Sequence, residues 1–243
     1  MLGNIRAIVL AAGKGERLKG IVDTIPKPMV RIDGKPILHH DIEWLKRYGI
    51  MDIYINLHHL PEVITGYFGD GKELGVTITY SYEEHLLGTA GAVRKIASDF
   101  WRGSTHDNAQ PFLVIYGDNR LDYDLRDMFA FHERHKGIGT IALHRLANVS
   151  QSGIAVLDRD GRIIRFIEKP TPDEQVSNLV NTGLYMLEQD IVEYIPPDQP
   201  VDFGRQVFPL VLESGRALYG IEPWGTLTAV DTPQLFRAAS PDL

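Results

Sequence analysis

Short apolar runs alternate with stretches of helical spacing through the first part of this chain. Arg6 to Ala12 holds a continuous apolar run bounded by turn residues, the pattern of a buried parallel strand. Ile37, Leu38, Ile42, Leu45 and Tyr48 recur at helical spacing after Pro36, which suits a helix first turn, and Gly49 ends the run. Met51 to Leu57 predicts a second strand, Pro61 to Phe68 a short helix, and Val76 to Tyr82 a strand with Val76, Ile78, Tyr80 and Tyr82 on one face. Gly88 to Gly91 opens a helix over Ala92 to Ser98, with unpaired amides facing the strand ends. A strand over Phe112 to Tyr116, an amphipathic helix over Asp124 to Lys136 and a strand over Ile138 to Arg145 follow. Alternation of this kind predicts an α/β fold: a Rossmann-like, mostly parallel central sheet with helices on both faces, and ligands beyond the carboxyl ends of the strands.

From Gly153 the pattern changes to hairpins. Ile154 to Leu157, an Asp-Arg-Asp-Gly turn at Asp158 to Gly161, and Ile163 to Glu168 predict an antiparallel pair. A polar loop over Thr171 to Val176, a strand over Leu179 to Leu187, a helix over Gly204 to Ser214 and a last helix over Pro233 to Ala239 complete a mixed second half. A length of 243 residues suits one large domain, with 44% hydrophobic and 23% charged residues close to globular averages. A net charge of -7 argues against nucleic-acid polymers as partners, and a small anionic ligand better suits local cations in an acidic chain. Without cysteine, disulfides and thiolate metal sites are excluded. No apolar run near the N-terminus is long enough for a signal or a span, so cytoplasm is the expected compartment.

The chemistry concentrates in Ile5 to Pro28. After the first strand, Gly13 and Gly15 let the backbone turn tightly and approach an anion, with Lys14, Arg17 and Lys27 adding positive charge. Pro26 and Pro28 flank Lys27 and stiffen the segment that carries it. A dinucleotide fingerprint needs a third glycine where Leu18 stands, and the second strand ends in His58 and His59 rather than an acid for a ribose. No P-loop string occurs. What remains is GxGxR followed by PKP.

LAAGKGERL with DTIPKPM resembles the signature of the sugar-1-phosphate nucleotidylyltransferases, which join a nucleoside triphosphate to a sugar phosphate. LLGTAGA at Leu86 to Ala92, YGDN at Tyr116 to Asn119, FIEKP at Phe166 to Pro170 and NTGLY at Asn181 to Tyr185 continue the match in the family's order. Within the family, short length and LGTAGA most resemble the guanylyltransferases for mannose or heptose phosphates. The resemblance implies a glycosyltransferase-A-like nucleotidyltransferase fold: one domain over 1–243, with a nucleotide-binding half (1–150) and a sugar-phosphate-binding half (151–243).

The implied reaction is attack by a sugar phosphate oxygen on the α-phosphorus, with pyrophosphate leaving in line. Its nucleophile is already anionic near neutral pH, so positioning and charge neutralisation matter more than a strong base. The resemblance implies catalytic roles for Arg17 and Lys27, and triphosphate binding along Leu10, Ala11, Ala12, Gly13 and Gly15. Gly88 and Thr89 would meet the nucleobase, with Glu83 reading its edge. A carboxylate accepts two hydrogen bonds and guanine offers two adjacent donors, which leans the reading towards guanine over uracil, thymine or cytosine. Asn119, Gly153, Glu168, Lys169, Asn181 and Gly183 would hold the sugar phosphate. Mg²⁺ is the implied cofactor, on Asp118 and a second acid near the C-terminus. There the chain departs from the family: LTAVDTP at Leu227 to Pro233 has Ala229 at the usual acidic position, and Asp231, where a glycine is usual, is the expected ligand.

Other readings are a nucleotide-sugar-binding subunit with impaired catalysis, suggested by that altered segment, and a nicotinamide reductase, which lacks its third glycine. Zinc catalysis would need a third ligand beside His132 and His135, and no HExxH occurs. The expected partners are a nucleoside triphosphate and a sugar 1-phosphate, with no nucleic acid and no membrane, and with homo-oligomerisation left open.

Overall fold

The computed structural model describes residues 2–13, 25–100 (98–100 as backbone) and 110–230. Strand β1 (Ala7–Leu10) is followed by a 3-10 turn at Lys27–Met29, the hairpin β2 (Arg31–Ile32) and β3 (Lys35–Pro36), and helix α1 (Ile37–Arg47). Then come β4 (Asp52–Leu57), α2 (Pro61–Phe68), β5 (Thr77–Tyr82), α3 (Gly88–Phe100), β6 (Phe112–Tyr116), β7 (Asn119–Tyr123), α4 (Leu125–His135) and β8 (Gly139–Arg145). The remainder holds β9 (Gly153–Leu157), β10 (Ile163–Glu168), β11 (Leu179–Leu187), α5 (Phe208–Glu213), β12 (Leu218–Ile221) and β13 (Gly225–Ala229). These elements form an α/β fold, the class that the alternation predicts. They cluster into two compact units, one of Met1–Leu86, Ile115–Tyr123 and Gly225–Leu243, the other of Leu87–Val114 and Asp124–Trp224.

In the first unit β1, β4 and β5 pair in parallel, with Leu10 opposite Asn56 and Asn56 opposite Ser81. Their apolar side chains pack on both faces, as a buried parallel sheet requires, and Ile8, Ile53 and Ile55 are almost wholly covered. Helix α1 lays Ile37, Leu38, Ile42, Trp44 and Leu45 inward at the spacing read from the sequence. Trp44 Nε1 donates to the Tyr123 carbonyl at 3.0 Å, which anchors β7 to this helix. Pro36 pairs in β3 and immediately precedes α1, rather than lying in its first turn as expected; its φ of -54° and ψ of 148° are extended.

The second unit carries mixed pairing: β8 with β11 antiparallel, β8 with β12 parallel, and β9 with β10 antiparallel. Helix α4 is capped by Asp124, whose side chain accepts from the Arg126 amide. The helix expected over Gly204 to Ser214 is in fact a π-turn at Phe203–Val207, capped by Asp202 on the Gly204 and Arg205 amides, leading into α5. The helix expected over Pro233 to Ala239 lies outside the described residues. No helix among the described residues is long and apolar enough to cross a membrane.

Candidate active site

The first unit gathers Leu10, Ala11, Ala12, Gly13, Lys27, Glu83, Asp118 and Asn119. Leu10 ends β1, and its carbonyl accepts from Gly117 at 3.0 Å, which sets Asp118 beside the outlet of that strand. Extended Pro26, with ψ of 145°, delivers the tight turn that begins at Lys27. The Lys27 side chain is only 6% exposed and its Nζ donates to Asp118 Oδ2 at 2.6 Å. A buried ammonium demands an anionic partner and Asp118 supplies it, while retaining about one third of its own side-chain exposure (32%). Gly13 is exposed, and a Cβ built on it meets nothing within 4 Å among the described residues. Packing does not require glycine there. Gly15, Arg17 and Asp231 lie outside the described residues.

Two buried oxygens beside this pair lack a partner among the described residues: Asn119 Oδ1 and Asp41 Oδ2. Asp41, on the inner face of α1, accepts from the Leu121 amide at 3.2 Å through its other oxygen. Burial pushes its carboxyl well above the usual range; the Leu121 amide and Arg120 oppose the rise, and the charge of Asp118 adds to it. Asn119 was expected at the site, on the sugar phosphate; Asp41 was not among the residues singled out from sequence. No group of three or more His, Cys, Asp or Glu side chains forms a metal cage among the described residues. The oxygen donors Asp118 and Asn119 fit Mg²⁺, a hard cation often held by one or two carboxylates, with phosphate and water completing its shell.

Glu83 follows β5 and is 6% exposed. Its amide donates to the Leu57 carbonyl at 2.8 Å, and its own carbonyl lies 2.9 Å from His58 Nδ1. Its carboxylate accepts from Asn56 Nδ2 at 2.8 Å, and Asn56 Oδ1 accepts from the Ala11 amide at 2.7 Å. Asn56 belongs to none of the sequence motifs. Its signal was a lone amide inside the apolar strand Asp52–Leu57, where a buried polar group must find partners.

In the second unit, Gly88 (φ +72°) begins α3, and a Cβ there would stand 2.5 Å from the Val201 carbonyl oxygen. That carbonyl accepts from the Ala90 and Gly91 amides at 2.9 and 3.1 Å. Two of the amides expected to be unpaired at this helix start, those of Ala90 and Gly91, are therefore already occupied, because the chain before the π-turn folds over them. Thr89 Oγ1 donates to Asp202 Oδ2 at 3.0 Å and accepts from the Phe203 amide at 2.9 Å.

Gly153 and Gly204 flank Glu168: a Cβ on either would come within 2.6 or 2.7 Å of its Oε2. Burial, and then the charge of Asp202, raise the carboxyl of Glu168 above its usual value, against Lys169 and Arg205. Lys169 adopts φ +52°, and its amide donates to the Ser152 carbonyl at 3.1 Å. Asn181 Oδ1 accepts from the Gly183 amide at 2.9 Å, and its Nδ2 donates to the Tyr185 hydroxyl at 2.7 Å, beside the β11 irregularity. Gly204, Asp202 and Arg205 were not expected at this cluster: Gly204 and Arg205 read from sequence only as the start of the helix over Gly204 to Ser214, and Asp202 carries no motif.

An α/β sheet with a glycine just past its first strand and a buried lysine paired to an acid is the frame of the candidate site. The chain belongs to the nucleotidyl transferase family, whose model matches residues 6–226. It is 37% identical over 89% of its length to a UTP–glucose-1-phosphate uridylyltransferase from Synechocystis, and spans 58% of that relative. It is 34% identical over 97% of its length to a mannose-1-phosphate guanyltransferase from Candida albicans, spanning 64% of it. It thus covers about three fifths of the length of these curated relatives. A Bacillus anthracis protein with the provisional name glucose-1-phosphate thymidylyltransferase, in complex with a sucrose, matches 98% of the chain and is itself 96% covered, with a TM-score of 0.83 at 25% identity.

Proposed function

We propose that this chain is a single nucleotidyltransferase domain that transfers a nucleotidyl group from a nucleoside triphosphate to a sugar 1-phosphate, releasing pyrophosphate. The observation that carries the reading is the Lys27–Asp118 pair at the outlet of β1. Each member needs an opposite charge, and a phosphate can take the place of Asp118 on Lys27 while a divalent cation takes the place of Lys27 on Asp118. Asn119, expected on the sugar phosphate, is proposed instead beside Asp118 as a holder of Mg²⁺ because its buried Oδ1 has no partner among the described residues; with Asp231 as a further ligand, the ion would neutralise phosphate charge. Backbone amides from Leu10 to Gly13 and Gly15 would hold the triphosphate, with Arg17 on the reacting phosphates. Lys27 steadies the α-phosphate against the approaching anion, so that two mutually repelling phosphates meet in line.

Glu83 is proposed to read the base edge, Gly88 and Thr89 to meet the base, and Gly153, Glu168, Lys169, Asn181 and Gly183 to hold the sugar phosphate. A buried carboxylate favours guanine, whose edge carries two adjacent donors. The 37% identity to a uridylyltransferase supports uracil as the second reading. Use of a nucleoside triphosphate is compatible with the expected cytoplasmic setting, and the reaction is proposed to occur there. Pyrophosphate release should be measured with GTP, UTP, dTTP and CTP against mannose, glucose and heptose 1-phosphates, with Mg²⁺. Turnover with one triphosphate well above the rest is expected. Nucleotide binding without turnover for any pair would instead mark a nucleotide-sugar-binding subunit.

A further inference from the structure

We infer that Asn56 is a positioning residue for base selection: its amide couples the first amide of the phosphate loop to the carboxylate of Glu83. The inference rests on the proposed reading of Glu83 as the base contact. Asn56 is 4% exposed and sits in register between Leu10 of β1 and Ser81 of β5. An amide side chain has one accepting end and one donating end. The Ala11 N–H, 2.7 Å away, can only be met by the oxygen, so the amino group is directed to Glu83 Oε1, 2.8 Å away.

That assignment fixes more than a packing contact. The main chain at Glu83 is already held by Leu57 and His58, so Asn56 sets the reach and plane of the side chain that would face a base. It also links the base contact to Ala11, where the triphosphate would lie, so a shift at either end is transmitted through one rigid amide. An apolar residue would fill this strand position equally well for packing. It would leave both the Ala11 amide and the Glu83 carboxylate without this partner.

Asn56→Asp tests the idea with little change of volume: it still accepts from Ala11 but opposes Glu83 with a second acceptor. Mg²⁺-bound GTP, UTP and dTTP would be titrated calorimetrically against wild type, Asn56→Asp, Asn56→Ala, Glu83→Gln and the double variant Asn56→Asp/Glu83→Gln. Steady-state KM and kcat would be read by pyrophosphate release. The expected result is a change of about tenfold in the affinity ratio between preferred and second triphosphate, carried by KM with kcat near wild type. In the double variant the introduced amide would donate to the introduced carboxylate, with the polarity of the contact reversed. It should regain the melting temperature lost in Asn56→Asp while keeping the base ranking of Glu83→Gln.

Equal losses of affinity for all three triphosphates in Asn56→Asp would overturn the inference, as would an unchanged ratio. Should Asn56→Asp yield too little folded protein, Asn56→Ala is read by the same ratio. A ranking moved by Glu83→Gln but not by either Asn56 variant sinks the role of Asn56 alone. A ranking unmoved by Glu83→Gln removes the base contact, and this inference with it.

Discussion

Lys27 has exchanged almost all of its water for protein, with the Asp118 carboxylate against its ammonium, and that pairing is the chemical centre of the candidate site. Lys27→Met keeps the stem's volume and removes the charge. It should lower kcat/KM by about two to three orders of magnitude, the loss typical of one well-placed donor, with circular dichroism unchanged. Asp41 makes a separate prediction, about stability. Its carboxyl is raised in the folded protein, so the native state retains a proton that the unfolded chain has released. Stability from this group is therefore fullest below the ordinary aspartate value of 3.8 and falls as pH rises towards the raised value. Asp41→Asn should remove that slope: denaturant midpoints across pH 4 to 8 should show the variant gaining on wild type by up to about 1.4 kcal/mol per pH unit.

Helices and strands in this chain are held where one backbone closes on another, and glycine marks those places unequally. Gly88→Ala would force a methyl to 2.5 Å from the Val201 oxygen at a positive φ and should destabilise by more than about 1 kcal/mol, seen as a lower melting temperature. Gly13→Ala, with open space around it, should leave the melting temperature in place and raise KM for the triphosphate, because only an approaching ligand would feel the methyl. Most elements could be read beforehand from periodicity; β4, α2, β6 and β11 match almost to the residue because their apolar runs are bounded by turn formers. Strands β7, β12 and β13 could not. Asn119–Tyr123 carries a charge, Asp122, between its two buried positions and another, Arg120, before them; Leu218–Ile221 is four residues with a glycine, and both depend on partners far along the chain. The site followed the same division. Lys27 and Asp118 stood out singly as motif residues, but their contact across 91 positions exists only once Gly117 reaches the end of β1, and the bridge through Asn56 only once β1, β4 and β5 are side by side.

At the scale of the whole molecule, ligand binding and folding share one free energy. A Mg²⁺-triphosphate at about one hundred times its Kd should add about 2.7 kcal/mol of stability, so the order of melting temperatures with GTP, UTP, dTTP and CTP should reproduce the order of kcat/KM. A different order would mean that these nucleotides engage the fold without being its substrates. The first unit is assembled from three separated stretches of chain, and its last ladder pairs Gly225–Ala229 with Asn119–Tyr123. A ribosome delivers those partners far apart in time. The rim that bears Asp118 must wait, with Asn119–Tyr123 an open edge, until Gly225–Ala229 has emerged. A chain ended after Trp224 would keep that edge bare for good, and sedimentation should find it self-associating where the longer chain stays dispersed.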